Sequence, residues 1–171
     1  MSLDARNPFA EPLPQQQARA IPWISVMIAS TLTALPLIAT VPLMPPPGLL
    51  MLLAWRLLAP FALKPWAAAP LGFFDDLLSG QPLGSAVLLW SVCFIAIEFA
   101  ENRMLYRNFV QEWLIAAAAL AFCVIGARLI AVPLSAPIWP LIGAQVAIAV
   151  LAFPAAARIV AWIDRRRGPL A

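Results

Sequence analysis

Six stretches of mainly apolar residues fill almost all of the chain between Ile21 and Ile163, and most charges fall between them or beside their ends. A helix that crosses a bilayer needs about 20 such residues, with a workable range of about 17–25. The stretches run from Ile21 to Met44, Gly48 to Leu63, Pro65 to Ser79, Leu83 to Ala100, Trp113 to Leu134 and Ile138 to Ile163. Hydrophobic residues make up 63% of the 171 positions and charged residues 11%, against about 25% charged in an ordinary soluble domain. A soluble fold of this length keeps too much of its surface wet to hide so much hydrocarbon. The sequence therefore reads as an all-α polytopic membrane protein with six transmembrane helices over residues 21–163. Residues 1–20, with Pro8, Pro12, Pro14 and three glutamines, form a polar tail expected to be disordered. Residues 164–171 form a short basic tail.

The basic residues set the orientation. With the N-terminus in the cytoplasm, the inner side holds Arg6, Arg19, Lys64, Arg103, Arg107, Arg158, Arg165, Arg166 and Arg167. The outer turns near Pro46, Gln81 and Ser135 hold no Lys or Arg. This is the positive-inside pattern, and it places both termini in the cytoplasm. A five-span arrangement, in which the short third segment stays inside, would put Arg103, Arg107 and the Arg165–Arg167 cluster outside. Trp23, Trp66, Trp113 and Trp162 fall near the inner interface and Trp139 near the outer one, where amphipathic rings anchor. Prolines punctuate the spans. Pro45-Pro46-Pro47-Gly48 makes a stiff turn, and Pro36 and Pro154 are expected to kink the first and last helices.

Several chemistries are excluded. The chain has no histidine, so no Ser/His/Asp set and no histidine-ligated metal can form. Cys93 and Cys123 lie mid-way along two different apolar segments, where thiols act as small packing groups rather than a disulfide framework. No glycine-rich phosphate loop or HExxH is present. Adjacent aspartates can serve metal-dependent phosphotransfer, but such sites need more carboxylates at one depth. No metal or cofactor is expected. The net charge of +3 is spread along the chain and does not mark a nucleic-acid binder; the last basic cluster suits topology and anionic lipid.

Charges inside apolar segments are costly and call for a partner or a role. Those at depth are Arg56 in the second segment, Asp75 and Asp76 at the end of the third, and Arg128 in the fifth, whereas Glu98 and Arg158 fall toward the inner ends of theirs. Neighbouring helical residues point about 100° apart, so the two aspartates face different surroundings. One is expected to face the bundle or a partner and the other the outer interface. Three roles are open: a proton or cation site, a contact for another protein, or a structural one. The structural role would be a counter-ion for Arg56 or Arg128, or a cap for the helix that starts near Ser79. Arg128 lies at a depth close to the aspartates. In the loop after the fourth segment, Arg103, Tyr106, Arg107, Asn108 and Trp113 are candidates for cytoplasmic docking. Ala119, Cys123 and Ala127 form a small-residue ridge that lets helices approach closely.

The stretch from Gly72 to Gly84 resembles the bacterial rod shape-determining protein MreD family, whose third and fourth segments carry G-x-x-x-D-L-x-S-G-x-x-L-G. Gly72, Asp76, Leu77, Ser79, Gly80, Leu83 and Gly84 meet each fixed position; Asp75 is an addition. The resemblance extends to the proline-rich turn leading into a Leu-rich segment with Trp55, to Arg107-Asn108 before Trp113, and to a proline-containing last helix with a basic tail. It implies a non-enzymatic subunit of the inner (cytoplasmic) membrane that binds MreC, a single-span protein with a periplasmic coiled coil. It further implies indirect links to MreB, RodA and the elongation transpeptidase in peptidoglycan synthesis. A homodimer within that complex is compatible with this reading. The family's helix arrangement is similar to that of substrate-binding subunits of energy-coupling-factor transporters. That likeness carries the alternative function, a small-molecule transporter or solute-binding subunit with Arg56, Arg128 and the aspartates lining a polar cavity.

Overall fold

The structure, a computed structural model, describes residues 15–34, 45–103, 108–131 and 139–167. Among the described residues there are six α-helices and no strand. Helix α1 is Gln15–Thr31, continued by a 3-10 turn at Leu32–Ala34; α2 is Pro47–Leu58. A second 3-10 turn, Pro65–Ala67, leads into α3, Ala68–Ser79. Then come α4, Ser85–Glu101, α5, Phe109–Ala131, and α6, Trp139–Arg167.

The helix ends follow local chemistry that the apolar runs alone do not show. Helix α2 stops at Leu58 rather than Leu63 because Pro60 has no N–H to donate and disfavours helical backbone at the residue before it. Ala59 leaves the helical region at φ −135° and its N–H closes the last turn on the Trp55 carbonyl. Helix α5 begins at Phe109, one turn before Trp113. Asn108 precedes its first helical residue, and the Gln111 side chain reaches back to the Asn108 N–H at 3.4 Å, half of a capping box. Helix α1 starts at Gln15, so residues 15–20 of the expected disordered tail are helical. The end of the first predicted segment, with Pro36, Thr40 and Met44, lies outside the described residues. So does the outer turn around Ser135.

Helices α5 and α6 contain the stretches Phe109–Ala131 and Leu141–Arg166, each long and apolar enough to cross a membrane. The other four have 17, 12, 12 and 17 residues. At 1.5 Å per residue, α2 and α3 are each about 18 Å long, short of a hydrocarbon core of about 30 Å. Packing compensates for the shortness of α2. Every residue from Gly48 to Leu57 is buried, as suits a helix that is apolar all round.

The contacts close a ring that runs through α2: α1 packs on α2 and α3, α3 on α4, α4 on α5, α5 on α6, and α6 back on α2, with α5 also touching α2. Polar pins join the layers. Trp55 Nε1 on α2 donates to Ser25 Oγ on α1 at 2.7 Å, and Trp113 Nε1 on α5 donates to the Val150 carbonyl on α6 at 3.2 Å. The sulfurs of Cys93 and Cys123 meet at 3.3 Å between α4 and α5, and Ala119 is buried on the same ridge. The outward faces are as apolar as the core: Ile28, Leu88, Ile95, Leu114 and Leu151 are all exposed. A soluble monomer rarely shows apolar patches on that scale, whereas lipid is their natural surrounding.

Candidate functional site

The hairpin joining α3 to α4 concentrates the chain's unusual chemistry. Helix α3 ends on Gly80, whose φ of +66° is the left-handed conformation that closes a helix without Cβ strain. The chain then turns through Gln81, Pro82 and Leu83 to Gly84, at φ +96°. Open space surrounds both glycines, so backbone conformation, rather than crowding, demands them. Gly84 occupies the N-cap of α4 and has no side chain to accept the free N–H groups of the first turn.

Asp76 supplies the missing acceptor from across the hairpin. Its Oδ2 accepts the Gly84 N–H at 2.9 Å, and its Oδ1 accepts the Ser85 hydroxyl at 3.0 Å. The Ala86 N–H donates to both oxygens, at 2.9 and 3.2 Å, and the Val87 N–H approaches Oδ2 at 3.4 Å. A carboxylate placed on a helix N-terminus also meets the positive end of the helix dipole. The carboxylate comes this near because the two backbones touch: a Cβ on Gly72 would lie 2.9 Å from the Ala86 carbonyl group. Asp76 is 2% exposed. Of the roles open from sequence, it fills the cap.

Asp75 turns the other way, as the 100° step requires, but not toward the outer interface: it is only 6% exposed. It faces α1 and the first turn of α2. A Cβ on Gly48 would collide with Ser30 Oγ and lie 2.8 Å from Asp75 Oδ1, so serine, glycine and aspartate converge from three helices. Ser30 Oγ and Asp75 Oδ1 have no hydrogen-bond partner among the described residues. In the sequence Ser30 stands with Thr33 and Thr40 at helical spacing along the first segment, a pattern that suits helix packing and does not point to Asp75.

Neither aspartate pairs with an arginine among the described residues, which corrects the counter-ion expectation. Arg56 is buried near the opposite end of α2 and pairs with Glu101 at the end of α4, Nη2 to Oε2 2.9 Å, with its guanidinium 5.8 Å from the Phe94 ring centre. Arg128 donates to Gln145 Oε1 on α6 at 3.4 Å. Among the described residues, the two arginines are thus engaged with Glu101 and Gln145 rather than with the aspartates. A cavity of about 340 Å³ lies between α4 and α5, and it is apolar, lined by Cys93, Ala96, Ala100, Ala118 and Ala119 among others.

Of the loop candidates, Arg103 is exposed and stacks over Phe99 at 4.6 Å. Asn108 is exposed at the start of α5. Trp113 is turned into the α5–α6 contact by its bond to Val150. Tyr106 and Arg107 lie outside the described residues. Trp23 and Trp66 lie against each other, with ring centres 5.3 Å apart.

The family described as rod shape-determining protein MreD matches residues 16–160. The chain belongs to the MreD family. It is thus a rod shape-determining membrane protein. No curated protein and no solved structure matches it. The MreD pattern now divides by physical duty. Gly72 permits contact of backbones, Asp76 caps α4, and Gly80 and Gly84 carry the left-handed turns, while Ser79 is the last residue of α3. The two leucines of the pattern, Leu77 and Leu83, point outward at 59% and 70% exposure.

Proposed function

We propose that this MreD-family chain is a non-enzymatic, multi-pass subunit of the bacterial inner membrane that binds MreC within the cell-elongation complex. In this reading it crosses the membrane six times with both termini in the cytoplasm. The α3–α4 hairpin then lies toward the outer face, and α2 is buried against α1, α5 and α6. MreB filaments, RodA and the elongation transpeptidase are reached through MreC. The one-sided distribution of Lys and Arg supports the orientation. A scaffold role rather than catalysis fits the charge placement: Asp76 is bound to backbone, Arg56 to Glu101 and Arg128 to Gln145.

The observation that carries the proposal is the saturation of Asp76 inside the hairpin. A motif whose acidic group is wholly engaged in holding two helices together is built to present a shape. Replacing Asp76 with Ala should widen or round the cells and lower the recovery of MreC in a mild-detergent pull-down, while Asp76→Asn, which keeps one acceptor oxygen, retains part of both. Normal cell width with undiminished MreC recovery in Asp76→Ala would refute it.

A further inference from the structure

We infer that Cys93 and Cys123 form an oxidisable dithiol, which an apolar organic hydroperoxide dissolved in the bilayer reaches through the α4–α5 cavity. Oxidation closes the pair into a disulfide that joins the two helices. The chain has two cysteines, on different helices, and their sulfurs lie 3.3 Å apart. A disulfide has its sulfurs at about 2.05 Å, so the two side chains need to close by about 1.3 Å between them. The helices already approach closely here: Ala119 is buried one turn before Cys123, and Cys93 Sγ lies 3.8 Å from the Ala119 carbonyl oxygen.

The cavity decides which thiol is met first, and by what. Its volume of about 340 Å³ lies within the range of about 300–1,000 Å³ usual for small-molecule sites. Val92 and Phe122 in its wall are 42% and 46% exposed, and Ala96 and Ala118 are exposed as well, so it opens on the outward surface between α4 and α5. Of the described residues that line it, Cys93 alone carries a side-chain heteroatom. Cys123 is buried and meets Cys93 without lining the cavity. A polar oxidant entering these walls loses its hydrogen bonds to water with nothing in return, whereas an alkyl or aryl hydroperoxide brings hydrocarbon that matches them.

The two thiols then have different parts. The Cys93 sulfur attacks the terminal oxygen of the hydroperoxide, the O–O bond breaks, and the alcohol leaves with the proton of that thiol, so that Cys93 becomes a sulfenic acid. The Cys123 sulfur next attacks the Cys93 sulfur; the S–S bond forms, the S–O bond breaks, and the departing hydroxide takes the Cys123 proton and leaves as water. Two thiols are oxidised by two electrons in all, and one hydroperoxide is reduced to an alcohol and water.

The test treats native membranes with cumene hydroperoxide or, at equal concentration, with hydrogen peroxide, and then counts free thiols in SDS by the gel shift of a maleimide-linked polymer. The chain should lose both thiols to cumene hydroperoxide while staying a monomer, and regain both with dithiothreitol. Hydrogen peroxide should act about tenfold or more slowly. In Cys123→Ser, dimedone should trap a sulfenic acid at Cys93; in Cys93→Ser it should trap none at Cys123. Ala96→Phe or Ala118→Phe, whichever keeps the melting temperature of the native chain, narrows the cavity and should slow disulfide closure about tenfold. Equal rates with the two oxidants, a sulfenic acid at Cys123 in Cys93→Ser, thiols that dithiothreitol does not restore, or undiminished closure in the narrowed variant would each overturn the inference.

Discussion

The two ends of α2 bury charge by different means. Near its first turn lie two adjacent aspartates, and Asp76 is neutralised by the backbone donors of another helix. About 12 Å along, at 1.5 Å per residue, Arg56 is neutralised by a single side chain, Glu101, with an aromatic ring beside it. The first device is built into the hairpin: α4 cannot begin where it does without an acceptor for its first N–H groups. The second is a side-chain ion pair, and removing Glu101 would take from the buried Arg56 its carboxylate partner. Capping therefore tolerates any side chain that keeps an acceptor in place, whereas the pair tolerates only changes made on both sides at once.

That difference can be broken experimentally, and the ion pair should give the largest effect. Glu101→Leu alone should lower unfolding stability in detergent by about 3–5 kcal/mol, the usual cost of taking the partner from a buried charge, here Arg56. Adding Arg56→Met should restore most of it, because an apolar pair of similar volume is nearly neutral. A double variant no more stable than the single would mean that Arg56 is not held by Glu101 alone.

Asp76→Ala should come next, at about 2–4 kcal/mol, combining a lost cap with buried donors left unpaired. Asp76→Asn should cost roughly half as much, since its amide oxygen still accepts one or two of the bonds. Equal losses for Ala and Asn would show that the charge, not the acceptor geometry, matters.

The smallest effect sharpens the contrast between neighbours. Asp75 is buried and has an oxygen with no hydrogen-bond partner among the described residues, so Asp75→Asn, which removes the cost of an unpaired buried charge, should leave stability unchanged or raise it. A loss as large as that of Asp76→Ala would mean that the Ser30–Gly48–Asp75 cluster is bonded as firmly as the cap.

Part of this was legible in the amino-acid order. The Leu-rich second segment is apolar on every side, which foretells an interior helix, and the spacing of Asp76, Gly80 and Gly84 foretells a capped turn. The end of α2 at Pro60 and the start of α5 at Asn108-x-x-Gln111 were also encoded, but in single residues easily overridden by the longer apolar runs. The partners of the buried charges were not legible. Which residue meets Arg56 depends on how two helices far apart in sequence are rotated about their axes, and an apolar α4 accepts many rotations until packing selects one. The same holds for Ser30, whose burial against Asp75 follows from the close approach of α1 and α2 at Gly48.

The most direct measurement is amide hydrogen exchange at Gly84, Ala86 and Val87 in the membrane-embedded protein, compared between the native chain and Asp76→Ala. If the carboxylate holds the start of α4, these amides are protected in the native chain and exchange about tenfold or more faster in the variant, as the loss of roughly 1.4 kcal/mol or more of local stability requires. Unchanged exchange at all three would contradict the account, because α4 would then begin without Asp76 and the hairpin would need another explanation.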